Sequence, residues 1–99
     1  MNNTQLKEII RELIPDDNEN KDIIVLEGDE YADSAIGLSE DNHIVYDYEK
    51  MIESLMKQNN WTDTEAIEWI DFNLLGSIKS MHSHGKEPII LMSRFEDYK

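Results

Sequence analysis

Between Glu27 and Lys50 the chain reads EGDEYADSAIGLSEDNHIVYDYEK, eight carboxylates and one lysine. A carboxylate without a partner stays in water, because the cost of burying its charge is prohibitive. Only two short runs in this stretch, SAIGLS (34–39) and HIVY (43–46), are free to enter a core. EDN separates them, and Asn42 can take a positive φ, so the segment predicts a hairpin with a three- to five-residue loop. Ile36 and Leu38 are expected on one face of their strand, and Ile44 and Tyr46 on one face of theirs. The acids are then confined to the two ends of the hairpin.

The flanking segments alternate in the same way. Leu6, Ile9, Ile10, Leu13 and Ile14 form the stripe of an amphipathic helix, which Pro15 stops. DDNENKD (16–22) reads as a polar loop. IIVL (23–26) is continuously apolar and mostly β-branched, the pattern of a strand buried on both faces. Asp47 is placed to cap a second helix whose inner arc is Tyr48, Met51, Ile52, Leu55 and Met56, and the asparagines at 59 and 60 break it. TDTE (62–65) is a capping box. It opens a third helix that is expected to bury Ala66, Ile67, Trp69, Ile70, Leu74 and Ile78, with Gly76 weakening or ending it. Trp61 reads as a helix-entry residue. Phe72 and Leu75 fall outside the buried arc, among Glu65, Glu68 and Asp71. KEPIILMS (86–93) is the last strand, with Pro88 at its start. The order α-β-β-β-α-α-β predicts one α+β domain over residues 1–99: an N-terminal helix and a mainly antiparallel sheet of three to four strands, with helices packed on one face.

The net charge of −13, from 22 acids against 9 bases, argues against direct binding to nucleic acid or to an anionic membrane through a basic surface. Negative charge favours basic partners or simply solubility. The absence of cysteine leaves no disulfide framework and no thiolate zinc site, which suits a reducing cytoplasm. No apolar run approaches the roughly 20 residues that span a bilayer, and the first fifteen residues are amphipathic with mixed charge, unlike a signal peptide.

The charge is also segregated. Thirteen acids and one base, Lys21, lie between Glu12 and Glu49, whereas four bases and three acids follow Gly76. An antiparallel meander would gather Asp16, Asp17, Glu19, Asp22, Glu40 and Asp41 at one end of the sheet. Glu27, Asp29, Glu30, Asp33, Asp47 and Glu49 would gather at the other. The second end also carries Tyr31 and Tyr48, so it combines charge for steering with aromatic surface for contact. It is the expected partner-binding site, and the Asp16 end a secondary pole. Tyr46 is a further candidate anchor.

Motifs for chemistry are weak. Residues 16–27 place Asp16, Asn18, Asn20, Asp22 and Glu27 at calcium-ligand spacing, but Lys21 stands where the loop needs a glycine. HSH (82–84) sets two imidazoles two residues apart, which with His43 or Glu87 could hold zinc, although a plain polar loop is the better reading. Ser80 and Ser83 lack a glycine-framed nucleophile elbow, and four scattered glycines make no phosphate loop. Nothing points to catalysis, a cofactor or a resident metal, so a binding protein is expected rather than an enzyme.

AIGLSEDNHIVYDYEKMIESLM, WTDTEAIEWIDFN and EPIILM together resemble a family of small phage and prophage proteins, over about residues 33–92. The resembling words are strand, capped helix and core, so they specify fold better than activity. The resemblance implies a viral origin and a setting in the host cytoplasm. Small acidic phage proteins include inhibitors of host defence, anti-CRISPR proteins that imitate DNA among them. The expectation is an acidic phage-type protein that binds a host nucleic-acid-handling protein, most concretely a CRISPR effector nuclease, and occludes its basic groove. The alternative is a phage accessory protein of incidental acidity that works through homo-oligomerisation, a homodimer among the options, via Phe72 and Leu75. A small metal-dependent enzyme using His82 and His84 comes third.

Overall fold

The computed structural model describes residues 1–81 and 83–95. Helix α1 (Asn3–Leu13) begins at a capping box: the Asn2 side chain accepts from the Gln5 N–H, and the Gln5 side chain accepts from the Asn2 N–H, both at 2.9 Å. Leu6 and Ile10 are buried with Ile14, whereas Leu13 is 64% exposed, so the apolar stripe is wider than the surface it covers. Residues 16–22 are not the expected loop. The Asp16 carboxylate accepts from the Asn18 N–H and starts a single helical turn, α2 (Asp17–Asn20). An acid at an N-cap followed by more acids in the first turn is what a helix N-terminus favours, even for one turn.

IIVL is not a strand either, and the reason lies across from it. Ile23 makes one parallel bridge with Lys86: the Lys86 N–H donates to Asp22 O, and the Ile24 N–H donates to Lys86 O. The next rung of a parallel ladder would need an N–H from residue 88, which is Pro88. The ladder therefore stops after one rung. Gly85, at φ 154°, permits the approach, since a Cβ there would lie 2.5 Å from the Asp22 carbonyl oxygen.

Beyond the single rung, the backbone N–H of Leu26 is satisfied by a side chain. The Leu26 N–H donates to the Tyr46 hydroxyl at 3.1 Å, and Tyr46 is 0% exposed. This buried bond makes Tyr46 a core residue and not the surface anchor the sequence suggests. Tyr46→Phe should cost about 1–3 kcal/mol in urea unfolding, because it leaves a buried N–H without an acceptor. Burial also pushes the Tyr46 phenol up to about 12 from 10. Its folded value lies above the unfolded one, so the associated stability is present below pH 10 and fades as the pH rises towards 12. Tyr46→Phe should flatten that alkaline loss.

A single turn, α3 (Asp29–Ala32), follows Gly28, whose φ of 117° suits glycine. Strands β1 (Ala35–Leu38) and β2 (Ile44–Asp47) then pair antiparallel, and Asn42 in their turn has φ 66°, as expected. Ala35 pairs with Tyr46 but Gly37 pairs with Val45, so a bulge interrupts β1. It breaks the alternation: Leu38 packs on the core while Ile36 is exposed, contrary to their expected common face. β3 (Ile89–Leu91) lies parallel on the other side of β2, giving a mixed three-stranded sheet in the order β1-β2-β3. A parallel neighbour requires a crossover of a dozen residues or more, and the helical segment from Tyr48 to Met81 provides it. The domain is α+β in class, with IIVL removed from the sheet and the closing strand reversed from an antiparallel reading.

The crossover begins with α4 (Tyr48–Asn59), capped by Asp47 and closed by Asn60 at φ 55°. Its inner arc of Tyr48, Met51, Ile52, Leu55 and Met56 packs on the core as expected. After the Thr62–Glu65 capping box, α5 (Asp63–Ile70) runs without a break through a π turn (Asp71–Leu75) into α6 (Gly76–Met81). Gly76 therefore does not end the helix. In a π turn residue i+5 returns to the place of residue i. Leu75 is thus brought over Ile70 and packs against the core, while Phe72 stays 90% exposed.

Candidate functional site

The first residues of the π turn line a concavity on the surface. Trp61, Trp69 and Phe72 line an open cleft of about 750 Å3, with Glu65, Glu68, Asp71 and Asn73 around them. Trp69 was expected in the core but is 42% exposed. Residues Ala66, Ile70 and Leu74 at i, i+4 and i+8 fill the buried face of the helix, and Trp69 lies to one side of them. The two indoles stand 5.4 Å apart and are tilted by 49°, a stable offset arrangement of aromatic rings. The Asn73 side-chain amide donates to the Trp69 carbonyl at 3.0 Å, tying the α-to-π junction together beneath the cleft.

α3 adjoins this cleft through one hydrogen bond. The Trp69 indole N–H donates to the Tyr31 hydroxyl at 3.3 Å. Tyr31 therefore joins the carboxylates of residues 27–33 to the Glu65–Asp71 rim. Tyr48 approaches the same rim from α4: partial burial raises its phenol, and the negative charge of the Asp71 carboxylate adds to that. Among the described residues no cation lies within ion-pair distance of Glu65, Glu68 or Asp71.

The other expected partner-binding residues divide. Glu30 is half-buried and its carboxylate folds back over Gly28, where an added Cβ would lie 2.5 Å from Oε1. Glu27 is exposed, 3.9 Å from Lys7. Asp29 accepts from the Asn3 N–H at 3.0 Å, and Asp33 pairs with the Met1 ammonium at 2.6 Å, so both also fasten the start of α1. Glu49 is exposed on the first turn of α4. Asp47 is a correction: it is 4% exposed, accepts from the N–H groups of Glu49 and Lys50, and forms an ion pair with Arg94. Its charge is spent inside the protein and does not face a partner.

The secondary pole is assembled differently from the meander expectation, because no strand exists at residues 23–26. Lys86 holds it together, taking Asp22 O at its backbone N–H and giving its ammonium to Asp41 O. Glu40 and Asp41 are exposed in the hairpin turn, and Asp17 and Glu19 are exposed on α2. Lys7, Arg11 and Lys21 line a shallow cleft beside α2. Three bases therefore lie beside Asn20 of α2, and this end is less negative than its acid count implies.

The calcium spacing does not survive folding, since α2 occupies the middle of what would be the binding loop. His82 lies outside the described residues, His84 is exposed, and the His43 ring meets the Glu87 carbonyl at 2.6 Å. Among the described residues no three His, Asp or Glu side chains gather as a metal site. No helix among them is long and apolar enough to cross a membrane.

The sequence missed the cleft because its signal is indirect. Phe72 on the outer side of an acidic helix was visible, but the exposure of Trp69 depends on the neighbouring Ala66, Ile70 and Leu74 completing the buried face. The chain matches no protein-family profile, no curated protein and no solved structure.

Proposed function

We propose that this protein works by binding rather than catalysis, covering a basic surface of a partner protein that handles nucleic acid. The observation that carries this reading is the unneutralised charge at the π turn: Glu65, Glu68 and Asp71 rim Trp61, Trp69 and Phe72 with no described cation beside them. Such a face complements a groove built to hold phosphates, where arginines and lysines line the wall. A nuclease of the CRISPR-effector type, met in the host cytoplasm, is the concrete instance. Acidic side chains steer the encounter, and aromatic rings provide the area that is desolvated on contact.

The test is ionic strength together with competition. The immobilised protein should retain a nucleic-acid-binding protein from bacterial lysate at 0.1 M salt and release it at 1 M, where the Debye length falls from about 10 Å to about 3 Å. Duplex DNA added to the lysate should compete for the same partner. Capture that ignores both salt and DNA would count against groove occlusion and towards an apolar interface.

A further inference from the structure

We propose that the cleft receives an arginine side chain of the partner, and receives it in preference to lysine. The proposal deepens the binding function above and rests on it.

The cleft offers a cation both aromatic faces and carboxylates. Trp61 and Trp69 present two tilted indoles, and Phe72, 90% exposed, adds a third ring at the edge. A ring face attracts a cation through its quadrupole, and tryptophan does so best. Glu68 and Asp71 stand at the rim with no described cation beside them. A planar, weakly hydrated guanidinium can stack on a ring while its edge meets a carboxylate, whereas a compact ammonium loses more hydration for the same contact. The hydrogen bond from the Trp69 indole to Tyr31 holds that ring in place before any ligand arrives. Phe72 is otherwise hard to account for: it contributes nothing to the core, yet the π turn fixes it beside the two indoles. π turns of this kind recur at functional sites.

The protein has only two tryptophans, and both line the cleft, so intrinsic fluorescence reports on it directly. Titration of the full chain with a hexa-arginine peptide and with a hexa-lysine peptide, at the same low salt, should perturb tryptophan emission and give about three-fold tighter binding for arginine, as one exposed cation–ring contact allows. Phe72→Ala should bring the arginine affinity down towards that of lysine, and Phe72→Tyr should restore the preference. Because Phe72 lies outside the core, circular dichroism of both variants should match the parent.

The outcomes separate this proposal from the one beneath it. Equal affinities for the two peptides, or a preference that survives Phe72→Ala, would overturn the arginine cleft and leave the charge-based function standing. Failure of both peptides to bind would overturn both. A dimer seen by light scattering that Phe72→Ala dissolves and arginine peptide does not would make the cleft a self-association face, and would overturn the proposal as well.

Discussion

Replacing Asp47 by alanine is expected to cost the domain about 3 kcal/mol, the largest single-residue effect outside the apolar core. Asp47 ties three parts of the chain together, two through its carboxylate and one through its backbone N–H, which alanine keeps. Its Oδ1 accepts the N–H groups of Glu49 and Lys50, at 3.0 and 3.3 Å, and so starts α4. Its Oδ2 pairs with Arg94, just beyond β3. Its own N–H donates to Ser34 O at 2.7 Å, holding the end of β2 against the start of the hairpin. Alanine removes a cap, typically about 1 kcal/mol, and also leaves Arg94 without this carboxylate at a site 4% open to water. Arg94 is itself partly solvated, so the ion-pair share is taken well below what a fully buried pair would give. Asp47→Asn retains a capping oxygen and should lose about half as much. In urea unfolding the order should be parent, then Asp47→Asn, then Asp47→Ala, and a loss under 1 kcal/mol for alanine would mean that the Arg94 pair is screened. For a chain of this size about 3 kcal/mol corresponds to roughly 12–24 °C in Tm. Binding by folded Asp47→Asn should match the parent, since this carboxylate does not reach the surface.

The local elements were legible where one residue type has one physical use. Pro15 ends a helix, Asn42 and Asn60 take positive φ, Thr62 with Glu65 and Asp47 alone cap helices, and the structure uses each as its chemistry requires. What failed was non-local. Nothing within IIVL says that its would-be partner carries Pro88 at the next rung, so a good strand sequence remains a single bridge. The bulge that exposes Ile36 and the π turn that turns Leu75 against the core each add one residue to a period, and a periodicity argument assumes the period is kept. The site suffered twice over. Asp47 reads both as a helix cap and as a partner-facing acid, and only its burial beside Arg94 removes the second role. Trp69 reads as core because an indole on a helix more often is.

Neutralising Glu30, Glu68 and Asp71 together, as Glu30→Gln, Glu68→Gln and Asp71→Asn, is expected to weaken binding to a basic partner about a hundredfold. Glu68 and Asp71 rim the aromatic cleft, Glu30 is the neighbour of Tyr31 that hydrogen-bonds to Trp69, and about 1 kcal/mol for each, summed over three, reaches that factor. The loss should fall mostly on the dissociation rate, because Glu68 and Asp71 border rings that are desolvated on contact. Asp16→Asn, Asp17→Asn and Glu19→Gln remove the same number of charges from the end where Lys7, Arg11 and Lys21 already lie close. That set should cost only a few-fold, through slower association, and its effect should vanish at 1 M salt, where the Debye length is about 3 Å. Asp29→Asn with Asp33→Asn is less clean: these carboxylates hold the first residues of the chain at 3.0 and 2.6 Å, so part of any loss would be folding and must be separated by unfolding curves. Surface plasmon resonance on the three sets decides between a site and a cloud. Equal losses at both ends would mean that net charge alone draws the partner. No loss from either would remove electrostatic occlusion and leave the aromatic rings, Phe72 foremost, as the only contact surface to pursue.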